Sequence, residues 1–399
     1  MRVLFLSPRQ AWPTNSGAKL REFHLARCLA QQAEITLLAF AAEPDLLRES
    51  LPFCREVIAV PPPQRYTPVK LLRGLAGPHP LTVLNYSTAP MRDALSTLLE
   101  RTPFDAVQIE GTPMEAYAPI LLRRARPPVL IYDWHNIESE LMLRYAEQSS
   151  SAVRRFYANR TAHLLAQTER RMLARPAAAH LVCSGREQTL LQSLAPRASV
   201  HLVPNGVDTQ AFASLTPAAQ RNRLLFVGTM DYHANIDAAV AFARDVWPQL
   251  HAALPNLRFT LAGANPAPAV RELASQPGIE VTGTVPSLLP YYAEAVASLV
   301  PLKTGGGTRL KILESFAAGV PVVSTAVGAE GLDAIPDQHF LLAESPADWT
   351  AAVHRIVSQP GVAAGMAQRA QAFARESYDW SVVGQKLCRI YASLVPGAL

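Results

Sequence analysis

Pro301-Leu302-Lys303-Thr304-Gly305-Gly306-Gly307-Thr308-Arg309-Leu310-Lys311-Ile312-Leu313-Glu314 decides the reading of this chain. The apolar run Ala297 to Leu302 predicts a buried strand, and three consecutive glycines follow it. An amphipathic run, Leu310 to Ala318, predicts a helix ending at Gly319-Val320-Pro321, before a strand at Val322 and Val323. Glycines let backbone N–H groups approach a ligand without Cβ obstruction, and the helix behind them offers unpaired N–H groups to an anion. Arg309 and Lys311 add full positive charge there, and Glu314 follows about one turn later. The stretch therefore reads as a diphosphate seat with a carboxylate for ribose hydroxyls. The plain alternative is a Gly-rich turn in an ordinary strand–helix unit. No G-x-x-x-x-G-K-[ST] run exists, and Leu310 stands where a dinucleotide fingerprint needs its third glycine.

A chain of 399 residues is too long for one ordinary core, so two domains are expected. With 49% hydrophobic and 17% charged residues, disorder is excluded. No apolar run reaches the ~20 residues of a membrane span. Met1 to Pro8 reads as a first strand, too short for a signal peptide. Cys28, Cys54, Cys183 and Cys388 are scattered, which predicts free thiols in a reducing cytoplasm and neither a disulfide framework nor a zinc site. The basic excess lies in the first half. Residues 1–205 carry 24 Lys+Arg against 17 Asp+Glu, and residues 206–399 carry 13 against 15. Arg123-Arg124-Ala125-Arg126 and Arg154-Arg155-Phe156-Tyr157 are its densest patches. Such patches attract anionic lipid headgroups or nucleic acid, or are solvated helix faces.

Strand 1 (Val3 to Ser7) runs through a Pro-containing loop to Ser16-Gly17-Ala18-Lys19, which opens a helix. Further strands recur at Ile35 to Phe40, Val57 to Val60, Ala106 to Ile109 and Val129 to Tyr132. Helical patterns lie between them, as at Met91 to Leu99 and Met114 to Leu122. This alternation predicts a parallel sheet covered on both faces, with ligands at the strands' carboxyl ends. Glu110-Gly111 and Asp133-Trp134-His135-Asn136-Ile137-Glu138 stand at such ends. His135 is suited to hydrogen-bond a sugar hydroxyl or move a proton, or else to cap the next helix. Pro61 to Pro80 reads as a long basic loop, and Ser139 to Arg175 as a long surface helical region. After Pro204-Asn205-Gly206-Val207-Asp208 and a polar linker the pattern restarts at Leu224 to Val227, Gly228-Thr229-Met230, predicting a second doubly wound domain.

These residues together resemble family 4 of the retaining, nucleotide-sugar-dependent glycosyltransferases, which have the GT-B fold. The most specific segments are Asp133 to Glu138, Pro204 to Asp208, and Pro301 through Gly331. The resemblance implies an α/β architecture of two Rossmann-like, doubly wound parallel-sheet domains facing across a cleft. Residues 1–205 would form the acceptor side, with 380–399 crossing back as a helix, and residues 206–379 the donor side. It implies that Gly228 and Thr229 approach the donor phosphates, with Arg309 and Lys311 as cationic partners. Thr284 and Val285 would line the base, and Glu314 would hold the ribose. Gly305, Gly306, Gly307 and Thr308 would meet sugar and diphosphate, and His135 would face the transferred sugar. The loop bearing Gly17 and Lys19 would close over the diphosphate. The family's paired glutamates are half missing, since Gly306 stands eight residues before Glu314, and its usual Arg and Lys are absent from Gly228 to Asn235.

The resemblance further implies a nucleoside diphosphate sugar as co-substrate, no other cofactor, and front-face transfer to a hydroxyl acceptor. No Asp-x-Asp motif appears, so no metal is expected, and no carboxylate pair suggests double displacement. Lys is rare beside Arg, 5 against 32, hinting at a bacterial genome of high GC content. Such enzymes often use lipid-linked or polysaccharide acceptors, so cytoplasmic residence with peripheral contact to an anionic membrane is expected, and nucleic acid is not. The alternatives are a sugar-nucleotide epimerase of the same fold, which would need carboxylates beside His135, and a non-catalytic sugar-nucleotide-binding scaffold.

Overall fold

The computed structural model describes residues 1–63, 67–149, 151–175, 178–304 and 309–395. It divides into two compact units, Met1–Asn205 with Val383–Leu399, and Gly206–Val382.

In the first unit seven parallel strands form one sheet. They are β1 (Arg2–Ser7), β2 (Glu34–Phe40), β3 (Glu56–Val60), β4 (Ala106–Glu110), β5 (Val129–Trp134), β6 (Ala178–Val182) and β7 (Ser199–Leu202), in the order β3-β2-β1-β4-β5-β6-β7. Val3, Leu4, Phe5 and Leu6 are at most 1% exposed, because a parallel sheet is covered on both faces and its strands are apolar throughout. In the second unit, six parallel strands are β8 (Arg223–Val227), β9 (Arg258–Ala262), β10 (Ile279–Gly283), β11 (Ala295–Val300), β12 (Val322–Ser324) and β13 (Leu341–Leu342). Their order is β10-β9-β8-β11-β12-β13. Both orders reverse beside the first strand, so each unit has a topological switch point, β1/β4 in one and β8/β11 in the other. The α/β architecture of two Rossmann-like parallel-sheet domains is thus as expected from the sequence.

Three local expectations are corrected. Pro61 to Pro80 is not all loop: Thr67 caps a helix at Pro68–Ala76, its Oγ1 accepting from Lys70 N at 3.4 Å, and proline is tolerated at the first helical position. Ser139 to Arg175 is two helices, Glu138–Gln148 and Ala152–Leu173, the second capped by Ser151 and burying Leu164, Leu165, Met172 and Leu173. Met114 to Leu122 divides into a 3-10 turn, Thr112–Tyr117, and a short helix, Ala118–Leu122, whose second residue is a proline. The last helix begins at Trp380. Its Gly384 leaves no room for a side chain, since a Cβ there would lie 2.6 Å from Cys28 Sγ. All four cysteines are free, and Cys54 alone is only half-buried.

Candidate active site

The helix Leu310–Ala317 starts just beyond β11, with Arg309 as its N-cap. Arg309 is 7% exposed, and its Nη2 donates to Val327 O at 3.2 Å. Two residues on, Lys311 Nζ donates to Asn235 Oδ1 at 2.8 Å and stands 4.5 Å above the Phe226 ring. Asn235 Nδ2 in turn donates to Thr229 O at 2.8 Å. Gly228 is where β8 meets this group. A Cβ there would lie 2.6 Å from Asn235 Nδ2 and 3.1 Å from Lys311 Nζ, so only glycine lets the strand end approach the ammonium. Gly263, at φ +152°, is equally constrained, since a Cβ would fall 1.8 Å from Gly228 O. Glu314 accepts from Tyr292 OH at 3.1 Å. Burial pulls Lys311 down to about 7, with Arg309 adding to the shift and Glu314 opposing it. Burial also raises Glu314, against the Tyr292 hydrogen bond and Lys311.

The β8/β11 switch point thus gathers Gly228, Thr229, Arg309, Lys311 and Glu314. Thr284 and Val285 follow β10, on the same edge of the sheet but two strands from β8. Gly305, Gly306, Gly307 and Thr308 lie outside the described residues.

Gly17, Lys19 and His135 belong to the first unit. Gly17 opens the helix Gly17–Leu29, behind Ser16, whose side chain makes no capping bond. Burial lowers Lys19, with Glu22 opposing. His135 follows β5, and its Nε2 lies 3.0 Å from Glu110 Oε2 and 3.6 Å from Glu22 Oε1. Glu22 also accepts from Ser7 Oγ at 2.7 Å and pairs with Arg9 Nη1 at 2.8 Å. Glu110 accepts from Gln108 Nε2 at 2.6 Å, and Gln108 Oε1 accepts from Tyr391 OH of the last helix at 2.5 Å. Burial dominates these groups. It lowers His135 to about 4, raises Glu22 to about 7, and holds Glu110 well above the usual carboxylate range. His135 is therefore neutral near pH 7, while burial pushes both carboxylates up, Glu22 to about 7 and Glu110 well above the usual carboxylate range.

The carboxylate pair missing from the sequence reading is present after all. Glu22 and Glu110 converge because β1 and β4 are adjacent and Ser7, the last residue of β1, hydrogen-bonds Glu22 on the helix that follows. With His135 their donor atoms lie within 4.8 Å of one another. This carboxylate–imidazole set could hold a divalent cation, although Arg9 already supplies positive charge at Glu22. Asp133, by contrast, is committed to structure. Arg21 grips it with Nε and Nη2 at 2.7–3.0 Å, and Arg21 Nη1 donates to Val203 O at 2.8 Å and Asn205 Oδ1 at 3.2 Å. That pair fixes the chain at Pro204-Asn205. Reasoning from sequence missed Arg21, Glu22, Asn235 and Tyr292. A signal existed for the first two: Glu22 shares its helix face with Leu25 and Leu29, and Arg21 shares its face with Leu25 and Cys28, so polar side chains stood on the core side.

Solved structures similar to the chain share the fold. Sucrose-phosphate synthase from Thermosynechococcus elongatus matches at a TM-score of 0.75 and 18% identity, covering 99% of each chain. Anabaena HepE, solved with UDP-glucose, matches at 0.67 and 16%, covering 98% of this chain and 100% of that one. WaaG, a glycosyltransferase of lipopolysaccharide biosynthesis, matches at 0.65 and 13%, covering 99% and 100%. The fold is GT-B. No curated protein matches the chain. Residues 16–206 match the family model described as glycosyl transferase 4-like domain, and residues 221–359 match glycosyl transferases group 1. Together the two matches span most of the chain, which belongs with the glycosyltransferases of the group 1 and 4-like type.

Proposed function

We propose that the chain is a retaining glycosyltransferase that moves a sugar from a nucleoside diphosphate sugar to a hydroxyl acceptor by front-face attack, without a metal. The observation that carries this is the buried Lys311–Asn235–Gly228 group with Arg309 beside it. Two cations stand at a strand-end switch point, and burial holds one of them near half-charge. A diphosphate is the ligand that would restore that charge, and the HepE structures holding UDP and UDP-glucose support a nucleotide-sugar donor.

As the sugar–phosphate bond loosens, charge grows on the leaving diphosphate. Arg309, Lys311 and the first N–H groups of the helix Leu310–Ala317 stabilise it. Glu314, steadied by Tyr292, holds the ribose hydroxyls. The leaving phosphate accepts the acceptor's proton. His135, neutral and aimed by Glu110, hydrogen-bonds a hydroxyl of the transferred sugar. Lipid-linked or polysaccharide acceptors, Gly17 and Lys19 over the diphosphate, and a cytoplasmic setting belong to the same reading.

Incubation with single sugar nucleotides, alone and with acceptors, tests it by release of nucleoside diphosphate. No release from any donor would refute transfer. The Glu22–Glu110–His135 set favours a second reading, a sugar-nucleotide epimerase, because it is the acid/base group such chemistry needs. Conversion of the donor to its epimer, without acceptor, would select that reading. Binding with neither outcome would leave a scaffold.

A further inference from the structure

The helix Glu138–Gln148 begins just past the carboxyl end of β5, three residues beyond His135. Its two first-turn glutamates stand in different settings. Glu140 is committed, since Arg144 Nη2 donates to it at 3.1 Å and Arg186 Nη1 at 3.0 Å. Glu138 is half-buried, and among the described residues its carboxylate has no hydrogen-bond or ion-pair partner. An acidic side chain in a first turn usually serves the helix's open N–H groups. That duty is taken here by Glu169 of the helix Ala152–Leu173, which accepts from Ser139 N at 3.0 Å, from Ser139 Oγ and from the backbone N–H of Glu138. Arg9, just past β1, gives its Nη1 to Glu22 at 2.8 Å instead. Burial, and then Glu169, push the Glu138 carboxyl up to about 7, with Arg9 opposing. Glu138 thus keeps a largely desolvated carboxyl that nothing in its own chain satisfies, on the strand-end edge where ligands of such sheets gather.

We propose that Glu138 holds hydroxyls of an uncharged carbohydrate acceptor. A hydroxyl both donates and accepts, so it pairs with the carboxylate and with the carboxylic acid alike. A phosphate would be repelled by the ionised form and by Glu169, and an ammonium suits the ionised form alone. The assignment rests on the transfer reading, in which the leaving phosphate takes the acceptor's proton. Glu138 orients the acceptor and takes no proton from it.

The full chain is assayed for nucleoside diphosphate release with methyl α-glucoside and methyl α-mannoside as acceptor probes, and donor affinity is read separately by calorimetry. At least one glycoside should stimulate release by the parent. Glu138→Gln should raise the KM for that glycoside about tenfold and Glu138→Leu about thirtyfold, with kcat changed less and donor affinity within about twofold. The carboxylate has no partner to lose, so neither variant should melt below the parent. Glu140→Gln should leave the acceptor KM unchanged. An unchanged acceptor KM in both Glu138 variants would overturn the proposal and leave transfer standing. So would a weakened donor affinity, which puts Glu138 on the transferred sugar, or a lowered melting temperature, which makes it structural. Release by the parent that neither glycoside stimulates would also overturn it. A parent that releases nothing from any donor fails the transfer reading itself, and the proposal falls with it.

Discussion

Replacing Lys311 by methionine should make the ligand-free protein more stable and the enzyme worse. The ammonium falls from 10.5 to about 7 because burial outweighs Glu314. At 1.36 kcal/mol per unit this amounts to about 5 kcal/mol against the charged form, of which about 4 kcal/mol is felt at pH 7. Methionine removes that penalty but leaves Asn235 Oδ1 without its donor, at a cost of about 1–3 kcal/mol. The net expectation at pH 7 is a gain of about 1–3 kcal/mol. The pH dependence gives the sharper test. A lysine whose folded pKa lies below its unfolded one binds fewer protons folded than unfolded between about 7 and 10.5. Parent stability attributable to it therefore rises through that window. Denaturant midpoints for both proteins from pH 7 to 10 should show the variant's advantage shrinking and then reversing. Turnover, read as nucleoside diphosphate release, should fall by about 2–4 kcal/mol, roughly thirtyfold to a thousandfold. A stability difference that stays constant with pH would refute the argument that burial suppresses this charge. Unchanged turnover would remove Lys311 from the site.

Glu22 is raised to about 7, so it binds more protons folded than unfolded between about 4.5 and 7. The parent should therefore lose up to about 3 kcal/mol across that interval as pH rises, and Glu22→Gln should flatten the slope in denaturant titrations. Arg21→Met leaves Asp133 charged and buried and should cost about 3–5 kcal/mol; Arg21→Met with Asp133→Leu should recover much of that in thermal melts. Gly263→Ala forces a Cβ to within 1.8 Å of Gly228 O at a φ of +152°, so the strand end must move. It should cost about 3 kcal/mol or more by chemical denaturation and abolish donor binding by calorimetry even where folding survives.

Much of the fold was legible because its signals are local. Apolar runs of strand length, such as Val3 to Leu6, alternate with helical stretches, and that alternation alone implies parallel sheets with covered faces. Proline misled where it opens a helix, at Pro68, since the same residue that breaks a helix interior is favoured at its start. Arg309, Lys311 and Glu314 could be picked from sequence because one loop and one helix carry all three. Asn235 could not, since only the helix after β8 brings it to Lys311, 76 residues away in the chain.

The first-unit cluster marks the boundary most clearly. Sequence by itself determined that His135 stands past a strand end, and that Glu110 does too, because strand ends are read from local hydrophobic pattern. Only the tertiary structure decided that Glu22 joins them, through the adjacency of β1 and β4, and that Asp133 is spent on Arg21. It also decided the chemistry. A histidine lowered to about 4 and a glutamate raised to about 7 are consequences of lost solvent, and solvent exclusion belongs to the packed sheet.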